Sequence, residues 1–214
     1  MSPWDRFRWI RWLAFVALLL ILAGFGFGYS MRGDADPPAA GLIDVGFLQD
    51  MSVHHDQAVD MATTELTGGA DPAVKNLAFD ILTTQQNQVG RMQGWLTAWG
   101  EPLLPTGGHM AWMGGGHGSH GAAHGPVAAM PGMADATELA RLRSATPADR
   151  DVLFLQLMLR HHQGGAEMLA VGAEHAETGY VRDLARRMSA TQSAESALLT
   201  EMLRQRQAPV LPVR

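Results

Sequence analysis

Two short runs carry the side chains best suited to chemistry: Phe47-Leu48-Gln49-x-Met51-x-x-His54-His55 and Phe154-Leu155-Gln156-x-Met158-x-x-His161-His162. A further methionine, Met61 or Met168, follows seven residues beyond the first histidine of each pair. Thioether and imidazole, without thiolate and with few carboxylates on the same face, make a soft to borderline donor set that favours Cu(I) and tolerates Cu(II) through the imidazoles. Zinc prefers histidine with carboxylate or cysteine, and calcium and magnesium need oxygen clusters that this pattern lacks. Di-iron bundles use Glu-x-x-His on two helices; here Met-x-x-His stands in its place. Methionine at helical spacing also suits plain core filling. Packing alone does not call for the same His-His pair, with Met at −3 and +7, twice over.

The two runs lie 107 positions apart, and the same offset pairs Leu77-Ala78 with Leu184-Ala185 and Thr84-Gln85-x-x-Gln88 with Thr191-Gln192-x-x-Glu195 without a gap. One unit is therefore present twice. Apolar residues at spacings of 3 and 4, with turn signals between them, predict a helical hairpin for each copy. Asp71-Pro72 and Thr146-Pro147 read as N-caps followed by proline at the first helical position. The expected helices are 43–66, 72–99, 147–177 and 180–205, giving an all-α four-helix bundle of two repeated hairpins over 43–206, with a tail at 207–214.

Phe47, Met51, His54, Ala58 and Met61 share one helical stripe with His55 at its edge, and Phe154, Met158, His161, Gly165 and Met168 repeat it. On the second and fourth helices Gln85, Gln88, Gln192 and Glu195 fall on stripes that are otherwise apolar. Buried polar groups need partners. Imidazole N–H groups of His54 and His161 would supply them and fix the tautomer for metal binding. The four residues are thus expected to support the ligands, with Glu195 also a candidate direct ligand.

Residues 101–136 are too rich in glycine and proline for a persistent helix or strand and read as a mobile connector. It carries auxiliary donors for metal recruitment, His109, Met110, Met113, His117, His120, His124, Met130 and Met133, and His175 adds another on the third helix. The chain of 214 residues contains no cysteine, which excludes disulfides, thiolate nucleophiles and iron–sulfur clusters. Its net charge of −5 and single lysine, Lys75, exclude a basic surface for nucleic acid. Arg6, Arg8 and Arg11 precede an uncharged stretch at 12–30, which predicts a cytoplasmic segment at 1–11 and one transmembrane helix. That places the remainder on the periplasmic or extracellular face of the cell membrane. Cleavage as a signal peptide, yielding a secreted protein, is the alternative. Residues 31–42 read as an extended linker.

The segments FLQDMSVHHDQAVDMA, FLQLMLRHHQGGAEML and TQQNQVGRMQGWL resemble the family known as domain of unknown function 305, across about residues 43 to 206. The resemblance implies a ferritin-like helical-bundle fold common in exported bacterial proteins. Some members are periplasmic copper-binding proteins implicated in copper resistance, which implies Met51, His54, His55, Met61, Met158, His161, His162 and Met168 as ligands. Asp50, Ser52, Gly164-Gly165 and Ser196 depart from the family pattern and imply looser packing near the second site. The expected function is that of a membrane-tethered extracytoplasmic protein that sequesters, delivers or confers resistance to copper, with a donor or acceptor protein as partner. The alternatives are a copper-dependent redox enzyme, for which no general base or substrate pocket is evident, and a helical interaction module without metal.

Overall fold

The computed structural model describes residues 3–30, 40–114 and 126–214. Among these residues the regular elements are helical. They are α1 (Pro3–Ser30), α2 (Leu42–Gly68), α3 (Pro72–Trp99), a 3-10 turn (Ala111–Gly114), α4 (Ala136–Ser144), α5 (Pro147–His175) and α6 (Gly179–Gln205). The chain divides into two compact units, 1–38 and 39–214.

The first unit corrects the expected membrane anchor. Among the described residues no helix is long and apolar enough to cross a membrane. The transmembrane helix and the single-pass localisation at the cell membrane are therefore overturned.

In the second unit the helix ends follow local chemistry. The Asp71 side chain accepts from the Ala73 N–H with Pro72 at the first turn, and the Thr146 side chain accepts from the Asp149 N–H ahead of Pro147. α3 stops at Gly100 in the left-handed region, φ 72°, which glycine adopts without a Cβ penalty. The additional helix α4 was not expected. Asp135 and Glu138 cap it reciprocally, each side chain accepting from the other's backbone N–H.

α2 packs with α3, α5 packs with α6, and the two hairpins meet along α2 and α5. These two helices run antiparallel, as their end contacts show. Asp44 at the start of α2 accepts from the N–H and hydroxyl of Thr178, just past the end of α5. Asp151 near the start of α5 accepts from the N–H groups of Ala70 and Asp71, just past the end of α2. Each repeat thus caps the turn of the other. The repeated Gln49 and Gln156 also act alike, donating to the carbonyls of Pro102 and Pro209 beyond the ends of α3 and α6.

Antiparallel docking separates the core into two clusters. One gathers Met61, Ile81, Phe154, Met158 and Leu199; the other gathers Phe47, Met51, Met92, Met168 and Met188. The histidine pairs fall between them along the chain. Two stretches of the 101–136 connector, 109–113 and 130–134, are anchored to the bundle, unlike the expected mobile segment. Buried Asp50 accepts from His109 Nδ1 (2.7 Å), the Met110 N–H (2.6 Å) and Trp112 Nε1 (2.7 Å). On the return leg Gln57 exchanges two hydrogen bonds with the Ala134 backbone, and buried Arg160 grips Glu138 with both terminal nitrogens while donating to the carbonyls of Gly132 and Met133. The two legs pair at His109 and Val127.

Candidate metal centre

The antiparallel contact of α2 and α5 brings the first histidine of each pair together. The rings of His54 and His161 lie 3.7 Å apart between centroids and 33° from parallel. Both residues are wholly buried, and among the described residues none of their four ring nitrogens has a hydrogen-bond partner. A Cβ on Gly165 would come within 2.9 Å of His54 Cε1. The glycine on the histidine stripe of α5 is what lets the His54 ring lie against that helix.

The second histidines sit 6.4 Å from the first within each pair. They take the polar partners expected for His54 and His161. His55 Nε2 donates to Gln88 Oε1 at 2.8 Å, and His162 Nε2 donates to Glu195 Oε2 at 2.6 Å. Their Nδ1 atoms are buried and unpartnered. Gln85 and Gln192, also buried, have no partner for either side-chain atom among the described residues. The correction has a geometric cause: the 100° step between adjacent helical residues turns His55 and His162 toward α3 and α6, and their predecessors toward each other.

Electrostatics keep the rings of His54, His55 and His161 uncharged. Burial pushes His54 well below its usual pKa, with His55 and His162 adding repulsion and the Pro131 carbonyl acting weakly in the opposite direction. Burial does the same to His161, reinforced by His54, His162 and His55. For His55 burial outweighs the Gln88 hydrogen bond and lowers the pKa to about 4. Neutral imidazoles keep a lone pair for a metal, so no proton need leave first. Each unpartnered buried polar atom costs about 1–3 kcal/mol, and a cation accepting several of these lone pairs would offset that cost.

The four methionines of the repeats are all buried, Met51 with Met168 in one cluster and Met61 with Met158 in the other. Each thioether pair thus comes from two different repeats. Among the described residues no group of three or more His, Asp or Glu is arranged to hold a metal ion. Of the auxiliary donors, Met110 and Met130 are buried in the same cluster as Met51 and Met168, with Met113 and Met133 packed against it. His109 is bound to Asp50. His175, in the last turn of α5, lies 3.6 Å from Glu174 and apart from the paired histidines. His117, His120 and His124 lie outside the described residues.

Three residues beside this centre act opposite to the sequence expectation. Asp50 and Gly164-Gly165, expected to loosen packing, tighten it. Asp50 fastens the connector, and Gly164 gives it room: a Cβ there would fall 2.3 Å from the Pro131 carbonyl oxygen. No sequence signal could have shown this, because the role of each glycine depends on what packs against it.

A family model described as a domain of unknown function, DUF305, matches residues 44–203. Among solved structures, a DUF305 protein from Streptomyces coelicolor, provisionally described as secreted, is 38% identical with a TM-score of 0.71, covering 79% of this chain and 97% of its own. A DUF305 fragment from Deinococcus radiodurans is 31% identical with a TM-score of 0.63, covering 78% and 99%. CopM, solved in a Cu(II)-bound form, is 26% identical with a TM-score of 0.57, covering 76% and 96%, and its Cu(I)-bound form is 23% identical with a TM-score of 0.58. No curated protein matches the chain.

Proposed function

The chain belongs to the DUF305 family, and on that premise we propose that it binds copper in the interior of its helical bundle and sequesters the ion or passes it to a protein partner. One observation carries this reading: His54 and His161, from two copies of one motif, meet in the core as neutral rings whose nitrogens make no hydrogen bond among the described residues, leaving one lone pair on each for a metal. His55 and His162 add two more unpartnered nitrogens, and Met51, Met61, Met158 and Met168 are the thioethers on the same helices. Softness selects Cu(I), with Cu(II) accepted through imidazole. The structural likeness to CopM, solved in a Cu(II)-bound form, supports copper as the metal. The description of the Streptomyces relative supports a secreted setting.

Titration of the full chain with Cu(I) against a competing chelator tests the proposal. Wild-type protein should bind, and the combined His54→Ala and His161→Ala variant should lose roughly two orders of magnitude or more in affinity, as expected when direct ligands and not their supporting partners are removed. An unchanged isotherm rejects the centre. Copper at 100 times its Kd should also stabilise the native state by about 2.7 kcal/mol. A melting temperature indifferent to copper supports an interaction module instead.

A further inference from the structure

The two halves of the histidine cluster match closely. His54 corresponds to His161, His55 to His162, Gln85 to Gln192, Met51 to Met158 and Met61 to Met168. The hydrogen bond from the second histidine to the neighbouring helix is also repeated, at 2.8 Å and 2.6 Å. Its acceptor is where the match breaks: an amide oxygen of Gln88 in the first half, a carboxylate oxygen of Glu195 in the second. Among the described residues Glu195 is the only carboxylate hydrogen-bonded to any of the four rings.

That difference has two consequences. A carboxylate accepting the Nε2–H raises the donor strength of the opposite ring nitrogen more than an amide does, and His162 Nδ1 is that nitrogen, buried and unpartnered. A cation entering a buried cluster also loses hydration, at a cost that grows with its charge. Glu195 offsets this by an attraction that doubles from a monovalent to a divalent ion, whereas Gln88 carries no charge with which to do so. We infer that Glu195 is a positioning residue that gives the His162 half the tighter hold on copper and lets the cluster accept Cu(II) as well as Cu(I). The inference rests on the copper-binding reading above.

The test is competitive titration of the full chain with Cu(II) and with Cu(I), using chelators matched to each ion. Glu195→Gln, which makes the halves alike, should weaken Cu(II) binding by roughly 10–100-fold and Cu(I) binding by clearly less. The exchanged variant, Gln88→Glu with Glu195→Gln, should recover the Cu(II) affinity. It should also reverse which second histidine matters: His162→Ala is the costlier change in the native background and His55→Ala in the exchanged one. A structural role alone would not move that preference. Equal losses for both ions, or no loss in a variant with native helical content, overturns the role of Glu195 and leaves the copper site standing. Wild-type protein that binds neither ion overturns both.

Discussion

His54 and His161 are neutral because they are buried without partners, and a neutral buried imidazole has a stability signature. For His54, His55 and His161 the folded-state pKa lies below 6.5, at about 4 for His55. As pH falls the unfolded chain takes up these protons first, so the stabilisation is complete above 6.5 and is lost toward the folded values. Glu65 acts in the opposite sense. Its buried carboxyl is pushed up to about 8, first by burial and then by Asp151. Its contribution is complete below the unfolded value of 4.5 and is lost as pH rises to about 8. Between 4.5 and 6.5 three imidazoles oppose Glu65, with Asp56, its carboxyl also raised by burial, acting in the same sense as Glu65; above 6.5 the imidazoles no longer act and Glu65 carries the decline. The metal-free protein should therefore be most stable near pH 6.5, and urea midpoints across the range will measure it. Glu65→Gln should remove the alkaline decline, worth about 2 kcal/mol, and keep the acid one. A native profile that is level from pH 6.5 to 8 contradicts this assignment.

At the scale of elements, the crossing of α2, α5 and the connector depends on two adjacent glycines with different neighbours. A Cβ at Gly165 would press on the edge of the His54 ring at 2.9 Å, and a side chain can rotate away. A Cβ at Gly164 would meet backbone, 2.3 Å from the Pro131 carbonyl oxygen and 2.5 Å from Gly132 Cα. Gly165→Ala should therefore reduce copper affinity with little loss of stability. Gly164→Ala should destabilise by about 1–3 kcal/mol, typical of overpacking, and expose the connector to limited proteolysis. Identical effects of the two substitutions on both readouts would show that the strap and the ring are not separately seated. Asp50→Ala should likewise expose the 101–114 leg to protease, since one buried carboxylate holds three donors there.

Over the whole 39–214 unit, the repeats hold each other by reciprocal ends. Asp44 and Asp151 cap turns belonging to the opposite hairpin, at sequence separations of 134 and 80–81. Replacing either with alanine leaves backbone donors unsatisfied and should cost about 1–3 kcal/mol. The two caps serve different turns without shared partners, so the double variant should approach the sum within about 0.5 kcal/mol; chemical denaturation measures both. The offset that aligns Phe47 with Phe154 also aligns Asp44 with Asp151 and Gln49 with Gln156, so these contacts were written in the repeat. Their partners were not visible, because a cap acting across 134 residues has no local spacing to betray it.

The sequence by itself determined the helices, the duplication and the donor types, because each depends on short-range regularities: the 3.6-residue period, the Asp-Pro and Thr-Pro starts, and a motif repeated without a gap. It also placed α4 within reach through the Asp135–Glu138 capping box, although the glycine-rich surroundings obscured it. What only tertiary structure decided is which residues meet. Antiparallel docking joined His54 to His161, set Met51 with Met168 and Met61 with Met158, and turned His55 and His162 toward Gln88 and Glu195. It also folded the connector legs onto Asp50, Gln57 and Arg160. Helical period specifies the face on which a side chain lies; the direction and depth at which two faces dock are set by packing between residues distant in the chain, including glycines whose missing Cβ can be understood only from what lies opposite.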